Sequence, residues 1–290
     1  MKFKKILKYA YKTTPFKKQF FLIVRKFWKP KEKIYRHLYF SEAFKVRIEK
    51  DKSFWLYNGT IIENEIFWNG LMGKWEKESL KLWLKLSKIS EHIIDVGANN
   101  GVYGLVAKAV NPKSEVYCFE PHPVFFKNLE NNIKRNNFNI RALQSAVSDV
   151  NGNLKIEDYS GVTSSIEVDS ITLDTFIQNN NIDSVNLLKI DVETFEPQVI
   201  MGFGENLAKS RPTLLIEILN VEAAGRINDL VKDLGYLYFN INEENGFRQT
   251  KKVEKSDHYN YLICQPNIAK EIGLIDIDLL APIIETDRHE

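Results

Sequence analysis

Cysteine is scarce in this chain of 290 residues: there are two, Cys118 and Cys264. Two thiols cannot build a disulfide framework. Each sits in an apolar run ("VYCFEP", "YLICQP"), so both read as buried thiols of a protein from a reducing, cytoplasmic compartment. Long hydrophobic runs are missing as well. The run "FFLIV" near the N-terminus is far short of the ~20 residues that cross a bilayer, and no small-residue cleavage site follows it. There is no internal repeat, no low-complexity tract and no His/Cys ligand cluster, so no metal site is assigned. What is plentiful is apolar surface: 44% hydrophobic residues with 12% aromatics, which excludes wholesale disorder.

The net charge is only +2, but it is unevenly spread. Residues 1–36 hold thirteen Lys or Arg against one acid, Glu32, while the remainder holds 27 against 37. The basic stretch "MKFKKILKYAYKTTPFKKQFFLIVRKFWKP" mixes charge with large apolar groups and reads as two short amphipathic helices split at Pro15. Such helices lie on an anionic membrane surface, contact an acidic partner, or pack on the acidic body of the same chain. A cytoplasmic protein with peripheral contact at the inner face of the membrane through residues 1–36 is therefore one expectation. A nucleic-acid partner is disfavoured, because the basic run is terminal and the body is acidic.

Residues 44–69 alternate like short strands with a turn at Asn58-Gly59. "GKWEKESLKLWLKLSKI" then places Trp75, Leu80, Trp83, Leu84 and Leu86 on one side of a helix. From Ile93 onward, apolar runs ("HIIDV", "EVYCFE", "IRALQSAV", "VNLLKID", "PTLLIEIL") alternate with helical segments near 101–110, 122–136, 171–180, 195–208 and 223–234. That alternation predicts an α/β fold with a mostly parallel sheet covered by helices on both faces. "GYLYFNI" and "HYNYLICQP" have no helix signal between them and are expected to pair antiparallel at one edge. The chain divides into a basic extension (1–40), pre-domain strands and helix (41–90), the α/β domain (91–266) and a polar tail (267–290).

"IIDVGANNGVYG" joins the first regular strand to its helix, where open α/β sheets bind ligands. A dinucleotide loop reads G-x-G-x-x-G. From Gly97 this chain has Asn99 and Val102 at the other two glycine positions, and what remains is Asp95, Gly97, Asn99 and Gly101. Glu120 ends the next strand, placed to accept both hydroxyls of a ribose. A ribose acid without a pyrophosphate loop points to a phosphate-free adenosine ligand, and S-adenosylmethionine is one. Asp191 and Glu193 follow the fourth strand, two residues apart and on one side if the strand continues. Glu217 ends the fifth. These acids suit a base, a substrate clamp or a metal, and equally an ion-pair network with Lys189, Lys209 or Arg211. His122 reads as a helix-start residue first and a base second.

The ordered set "IIDVGANNGVYG", "VYCFEPHPVFFKNLENNIKRN", "ALQSAVSDVNGNLKI", "SSIEVDSITLD", "LLKIDVETFE" and "RPTLLIEI" resembles the FkbM family of S-adenosylmethionine-dependent methyltransferases over about residues 73–265. The resemblance implies a class I methyltransferase (Rossmann-like) fold, with a seven-stranded sheet whose last strand is antiparallel. It also implies O-methylation of a hydroxyl on a sugar, glycan or small metabolite. By residue, it assigns Asp95, Gly97, Asn99 and Gly101 to the cofactor turn and Glu120 to the ribose. It puts Ser148 and Asp149 near the adenine, Glu76 near the methionine end, and Asp191 and Glu193 at the reaction centre. Thr194 departs from the family, which has glycine there, so the backbone must avoid a positive φ or bear strain. The rival readings are a nucleotide- or NAD-linked oxidoreductase and a catalytically silent binding protein at a membrane surface. Residues 40–75 and loop 158–170 are expected to shape the acceptor pocket.

Overall fold

The computed structural model describes residues 14–158 and 164–275. The helix expected before Pro15, part of loop 158–170 and most of the tail lie outside the described residues. The N-terminal part runs α1 (Lys17–Phe27), α2 (Glu32–Tyr35), β1 (Ala43–Arg47), β2 (Ser53–Tyr57), α3 (Ile61–Asn69) and α4 (Lys77–Ile89). The domain continues with β3 (His92–Val96), α5 (Val102–Val110), β4 (Glu115–Phe119), α6 (Pro123–Asn136), β5 (Ile140–Leu143), β6 (Ala146–Val147), β7 (Gly152–Glu157), β8 (Ser165–Ile171) and α7 (Leu173–Asn179). It closes with β9 (Leu187–Ile190), α8 (Glu196–Met201), α9 (Glu205–Ser210), β10 (Thr213–Glu217), α10 (Val221–Val231), β11 (Leu237–Asn242), β12 (Gly246–Thr250), β13 (Asn260–Cys264) and α11 (Pro266–Glu271).

The main sheet has eight strands in the order β12-β11-β13-β10-β9-β3-β4-β5. Strands β10, β9, β3, β4 and β5 are parallel. β13, the last strand, inserts antiparallel between β10 and β11 rather than at the edge. All seven expected strands are present. The eighth, β12, is a polar strand that hairpins onto β11 at the edge, and its largely exposed side chains carry no apolar signal. The run "IRALQSAV" splits: β5 stays in the main sheet, while β6 leaves it for a small sheet of order β6-β8-β7. Strand order reverses between β3 and β9, and the crevice beyond their carboxyl ends is where such sheets bind ligands.

The alternation of side chains puts two apolar cores on opposite faces of the sheet. Ile93, Leu105, Trp83 and Leu215 belong to one, and Ile94, Phe119, Phe176 and Leu188 to the other. Trp83 is fully buried and donates its indole N–H to the Tyr103 carbonyl at 2.9 Å. This pins α4 to α5.

The pre-domain corrects one expectation. Residues 61–69 form α3, not a strand, and Asn58-Gly59 leads from β2 into that helix. The β1–β2 hairpin turns earlier, between Arg47 and Ser53. Thr60 and Glu63 make a reciprocal capping box, with the Thr60 amide donating to Glu63 at 2.6 Å. That T-x-x-E signature marks a helix start where the alternation of the preceding strands stops. Of the pre-domain tryptophans, Trp68 is core, while Trp75 is partly buried with its edge toward the Tyr103 ring.

Candidate active site

The turn after β3 is built on left-handed backbone. Gly97, Asn99 and Gly101 have φ of 80°, 49° and 86°. Asn is the residue that tolerates this region best after glycine, so Asn99 fills the conformational role that a glycine would fill. The Asn99 amide donates to Glu120 at 2.7 Å, and the His122 amide donates to its other carboxylate oxygen at 2.8 Å. Glu120 therefore bridges the turn to the end of β4. His122 caps α6 through Nδ1, which accepts from the Val124 amide, and its Nε2 meets Asp158 at 3.3 Å. Both ring nitrogens are engaged, as a helix-start residue requires.

Asp95 and Lys189 are register partners in β3 and β9. Asp95 is buried, and neither of its carboxylate oxygens meets a donor in good geometry. The Gly104 amide makes the smallest contribution to its electrostatics. Burial, offset by Lys189 and reinforced by Asp191, pushes the Asp95 carboxyl up to about 6. Burial likewise lifts Glu120 to about 7, against the two amides that hold it. Glu76, at the start of α4, bonds the Tyr103 hydroxyl and is raised chiefly by burial. Glu217 is raised by burial and then by Asp191. The Lys189 ammonium is buried too, which works to lower its pKa. Asp191, Glu76 and Asp95 outweigh that and hold it above its ordinary value. It donates to Asp191 Oδ2 at 2.8 Å and lies 4.6 Å from the Tyr103 ring centre. Three carboxyls with raised pKa, Glu76, Asp95 and Glu217, thus share the Lys189 cation, with Glu120 close by Asp95.

Asp191 and Glu193 are not carried on a continued strand. β9 ends at Ile190, and residues 192–194 turn, with φ of 53° at Glu193 and 82° at Thr194. Thr194 bears the strain that its departure from glycine implies. Glu196 secures this turn by accepting the Val192 and Thr194 amides at 3.2 and 3.1 Å. Glu193 is exposed, and its carboxyl is raised by partial burial, then by Asp191 and Glu157. Relieving the turn with Thr194→Gly should stabilise the fold by about 1 kcal/mol, the strain of a β-branched residue exceeding the added chain entropy. A rise in the melting temperature checks it, and a fall would mean that Thr194 makes a compensating contact.

The two residues of the adenine assignment sit elsewhere along the same edge. Ser148 is buried just past β6 and donates to the Asp149 carboxylate at 2.9 Å, while Asp149 is exposed. The backbone just after α8 presses on them, since a Cβ at Gly202 would lie 1.9 Å from the Ser148 carbonyl oxygen. Contacts that sequence reasoning misses tie the pre-domain to the turn. Asn100 is buried and donates to Glu63 of α3, and its carbonyl accepts from Asn132 of α6 at 3.0 Å. Glu243, after β11, accepts the Glu78 amide at 2.6 Å and so caps α4 from a distance. The capping-box motif could have flagged Glu63; nothing local marks Asn132 or Glu243. Among the described residues no group of three or more His, Cys, Asp or Glu is arranged to hold a metal ion.

A parallel sheet that reverses at β3, an antiparallel last strand inserted between β10 and β11, a glycine turn after the first strand and an acid after the second define the class I methyltransferase fold. Residues 95–238, about half of the chain, match the methyltransferase FkbM domain, and the chain belongs to that family. It is 24% identical to hexuronic acid methyltransferase AglP of Haloferax volcanii over 152 residues, covering 49% of this chain and 62% of the relative. It is 27% identical to 31-O-demethyl-FK506 methyltransferase FkbM of Streptomyces tacrolimicus over 186 residues, covering 50% and 72%. It is 26% identical to 2-O-methyltransferase NoeI of Sinorhizobium fredii over 153 residues, covering 43% and 63%. The chain thus spans less than two thirds of the length of the first and third of these relatives.

Proposed function

We propose that this protein transfers a methyl group from S-adenosylmethionine to a hydroxyl of a sugar or similar small acceptor. The observation that carries the reading is the gathering of Glu76, Asp95 and Glu120 at the β3–β4–β9 strand ends, with carboxylate oxygens of Asp95 lacking a donor. Such a site repels phosphates and favours a ligand with a net positive charge and several donors. S-adenosylmethionine has a sulfonium, an ammonium, one carboxylate and two ribose hydroxyls. Asp95 and Glu76 suit the ammonium end. Glu120 keeps free lone pairs beyond the two amides for the hydroxyls. The Gly97–Gly101 turn leaves the backbone open to close approach, and Ser148 and Asp149 are assigned to the adenine edge.

When bound, the cofactor supplies a methyl group already activated on sulfur, so the chain's own task is alignment and proton removal. Asp191, with one oxygen tied to Lys189, orients the acceptor hydroxyl. Glu193, exposed and with its carboxyl raised, takes its proton. The hydroxyl acceptor rests on the family and on the hexuronic acid and 31-O-demethyl-FK506 acceptors that the names of two relatives give.

Calorimetry with S-adenosylmethionine, S-adenosylhomocysteine and NAD tests the cofactor. Binding of the first two and not the third is expected; binding of NAD alone would restore the oxidoreductase reading. With labelled methyl donor and a panel of uronic acids and glycosides, Glu193→Gln should lower kcat about 100-fold, the usual scale for a lost general base, with cofactor affinity kept. Asp191→Asn should raise KM for the acceptor as well as lower kcat. Unchanged turnover in both variants would remove these residues from the reaction centre.

A further inference from the structure

α1 carries apolar side chains on two sides. One side packs inward: Phe21 is buried against Trp68 and Phe40, with ring centres 5.4 and 6.4 Å away, and Arg25 donates to the Phe67 carbonyl at 2.8 Å. This is the self-packing that the basic stretch allows, and one side of the helix accounts for it. The other side is a second stripe facing solvent. Phe16 at the helix start, then Phe20, Ile23 and Phe27, are 74%, 61%, 59% and 86% exposed. At 3.6 residues per turn, Phe20, Ile23 and Phe27 fall within about 60° of one another around the helix. A helix that only packs on its own domain turns polar residues outward. A contiguous exposed apolar patch marks an interaction surface.

We infer that this outward stripe seats α1 on an anionic lipid bilayer, with its axis along the membrane surface. Charge selects the partner. Lys26, Lys29, Lys31 and Lys33 are exposed beside or just after the stripe, and residues 1–36 hold thirteen Lys or Arg against one acid. Phenylalanines in a lysine-rich frame, with Trp28 half-exposed at the helix end, are the composition of interfacial helices: rings enter the acyl boundary and ammonium groups meet lipid phosphates. Among the described residues no helix is long and apolar enough to cross a membrane, so contact is peripheral. The inward face gives the surface a location relative to the site. α1 packs on Trp68 of α3, and α3 holds Asn100 of the glycine turn through Glu63. Docking would therefore bring the carboxyl end of the sheet near the membrane. The inference rests on the stripe and the lysines around it and stands whether or not the proposed reaction is correct.

Flotation of the full-length protein with phosphatidylcholine vesicles, with and without phosphatidylglycerol, tests it. The protein should float with the anionic vesicles, stay behind with the neutral ones, and detach as salt screens the lysines. Phe20→Ser/Phe27→Ser should lower the floated fraction about tenfold or more with an unchanged melting curve, because both rings lie outside the core. Lys26→Glu/Lys29→Glu should weaken binding to the anionic vesicles as well. Failure of the wild-type protein to float overturns the inference, as does equal flotation of the Phe20/Phe27 variant. Light scattering without lipid supplies a further check: a dimer that the Phe20/Phe27 variant splits would assign the stripe to a second copy of the chain instead.

Discussion

Asp95→Asn should make the cofactor-free protein more stable and weaken its binding of S-adenosylmethionine at least tenfold. The carboxyl is raised from 3.8 to about 6 by burial that Lys189 only partly offsets. A carboxyl whose folded pKa lies above its unfolded value destabilises the fold as pH rises through the interval between them, and the full cost applies above the higher value. Neutral Asn removes that cost. At pH 8 the gain is about 2 kcal/mol, from about 1.4 kcal/mol for each pH unit of that interval, less the desolvation of the amide. It shrinks below about pH 6 and is lost as pH falls below 3.8, where both states of the wild-type residue become protonated. Denaturant melts of both proteins across this range give the first readout. Calorimetry gives the second, with affinity expected to fall at least tenfold, about the worth of one charge-assisted contact. A variant that loses stability at pH 8 would show that Asp95 is a structural ion-pair partner of Lys189 and would separate it from the proposed cofactor site.

Gly97→Ala should be the most damaging single methyl in the domain. Its backbone sits at φ 80°, and a Cβ there would fall 1.8 Å from the Asp191 carbonyl oxygen and 2.8 Å from its carbonyl carbon. Those are main-chain atoms at the exit of β9, whose Asp191 amide is itself bonded to the Val96 carbonyl at 3.1 Å. Neither strand end can move without breaking the ladder between β3 and β9. A loss of about 3 kcal/mol or more is expected, combining left-handed strain with a backbone clash, along with loss of both cofactor binding and turnover. Gly225→Ala is the control. It lies in α10 with nothing within 4 Å of the added carbon, and it should gain about 0.5–1 kcal/mol from helix propensity. Equal melting of Gly97→Ala and wild type would mean that the two exits are not locked together. The consequence for the site is that the Gly97–Gly101 turn, proposed to hold the cofactor, and the Asp191–Glu193 turn are positioned by one contact.

The parallel core is legible because buried strands are apolar whichever face they show. "HIIDV", "EVYCFE" and "PTLLIEIL" become β3, β4 and β10 with little change. Elements with one wet face are harder to read. β7 and β8 expose alternate residues, and their short alternations "NLKIE" and "SIEVDS" are outweighed by the stronger apolar runs around them, while β12 carries no apolar signal. α3 reads wrongly as a strand because the alternation of β1 and β2 is carried past Asn58-Gly59 into a segment too short to show a clear period of its own, and the Thr60–Glu63 cap is the signal that decides it. At the candidate site, the placement of Asp95, Glu120 and Asp191 at or just past strand ends is legible in the sequence. Glu196, Asn132 and Glu243 act across turns or across the chain, and sequence spacing does not encode such contacts. His122 reads correctly as a cap, since "EPHP" sets a helix start. Thr194 is legible as a departure, but whether the backbone yields or bears the strain depends on Glu196 fixing the turn.

The Asn100-Gly101 step bears on how the protein ages. An asparagine before glycine is the peptide most prone to deamidation, because the glycine nitrogen attacks the carboxamide unhindered. Here that nitrogen is engaged by the Ala98 carbonyl at 2.8 Å, and the carboxamide is buried and held by Glu63. At the Asn245-Gly246 step after β11, by contrast, the asparagine is exposed. The folded chain thus leaves exposed steps, Asn151-Gly152 as well as Asn245-Gly246, open to chemical damage and spares the turn, where a new carboxylate would face Glu63. A molecule that spends time unfolded loses that shelter and would return with its glycine turn altered.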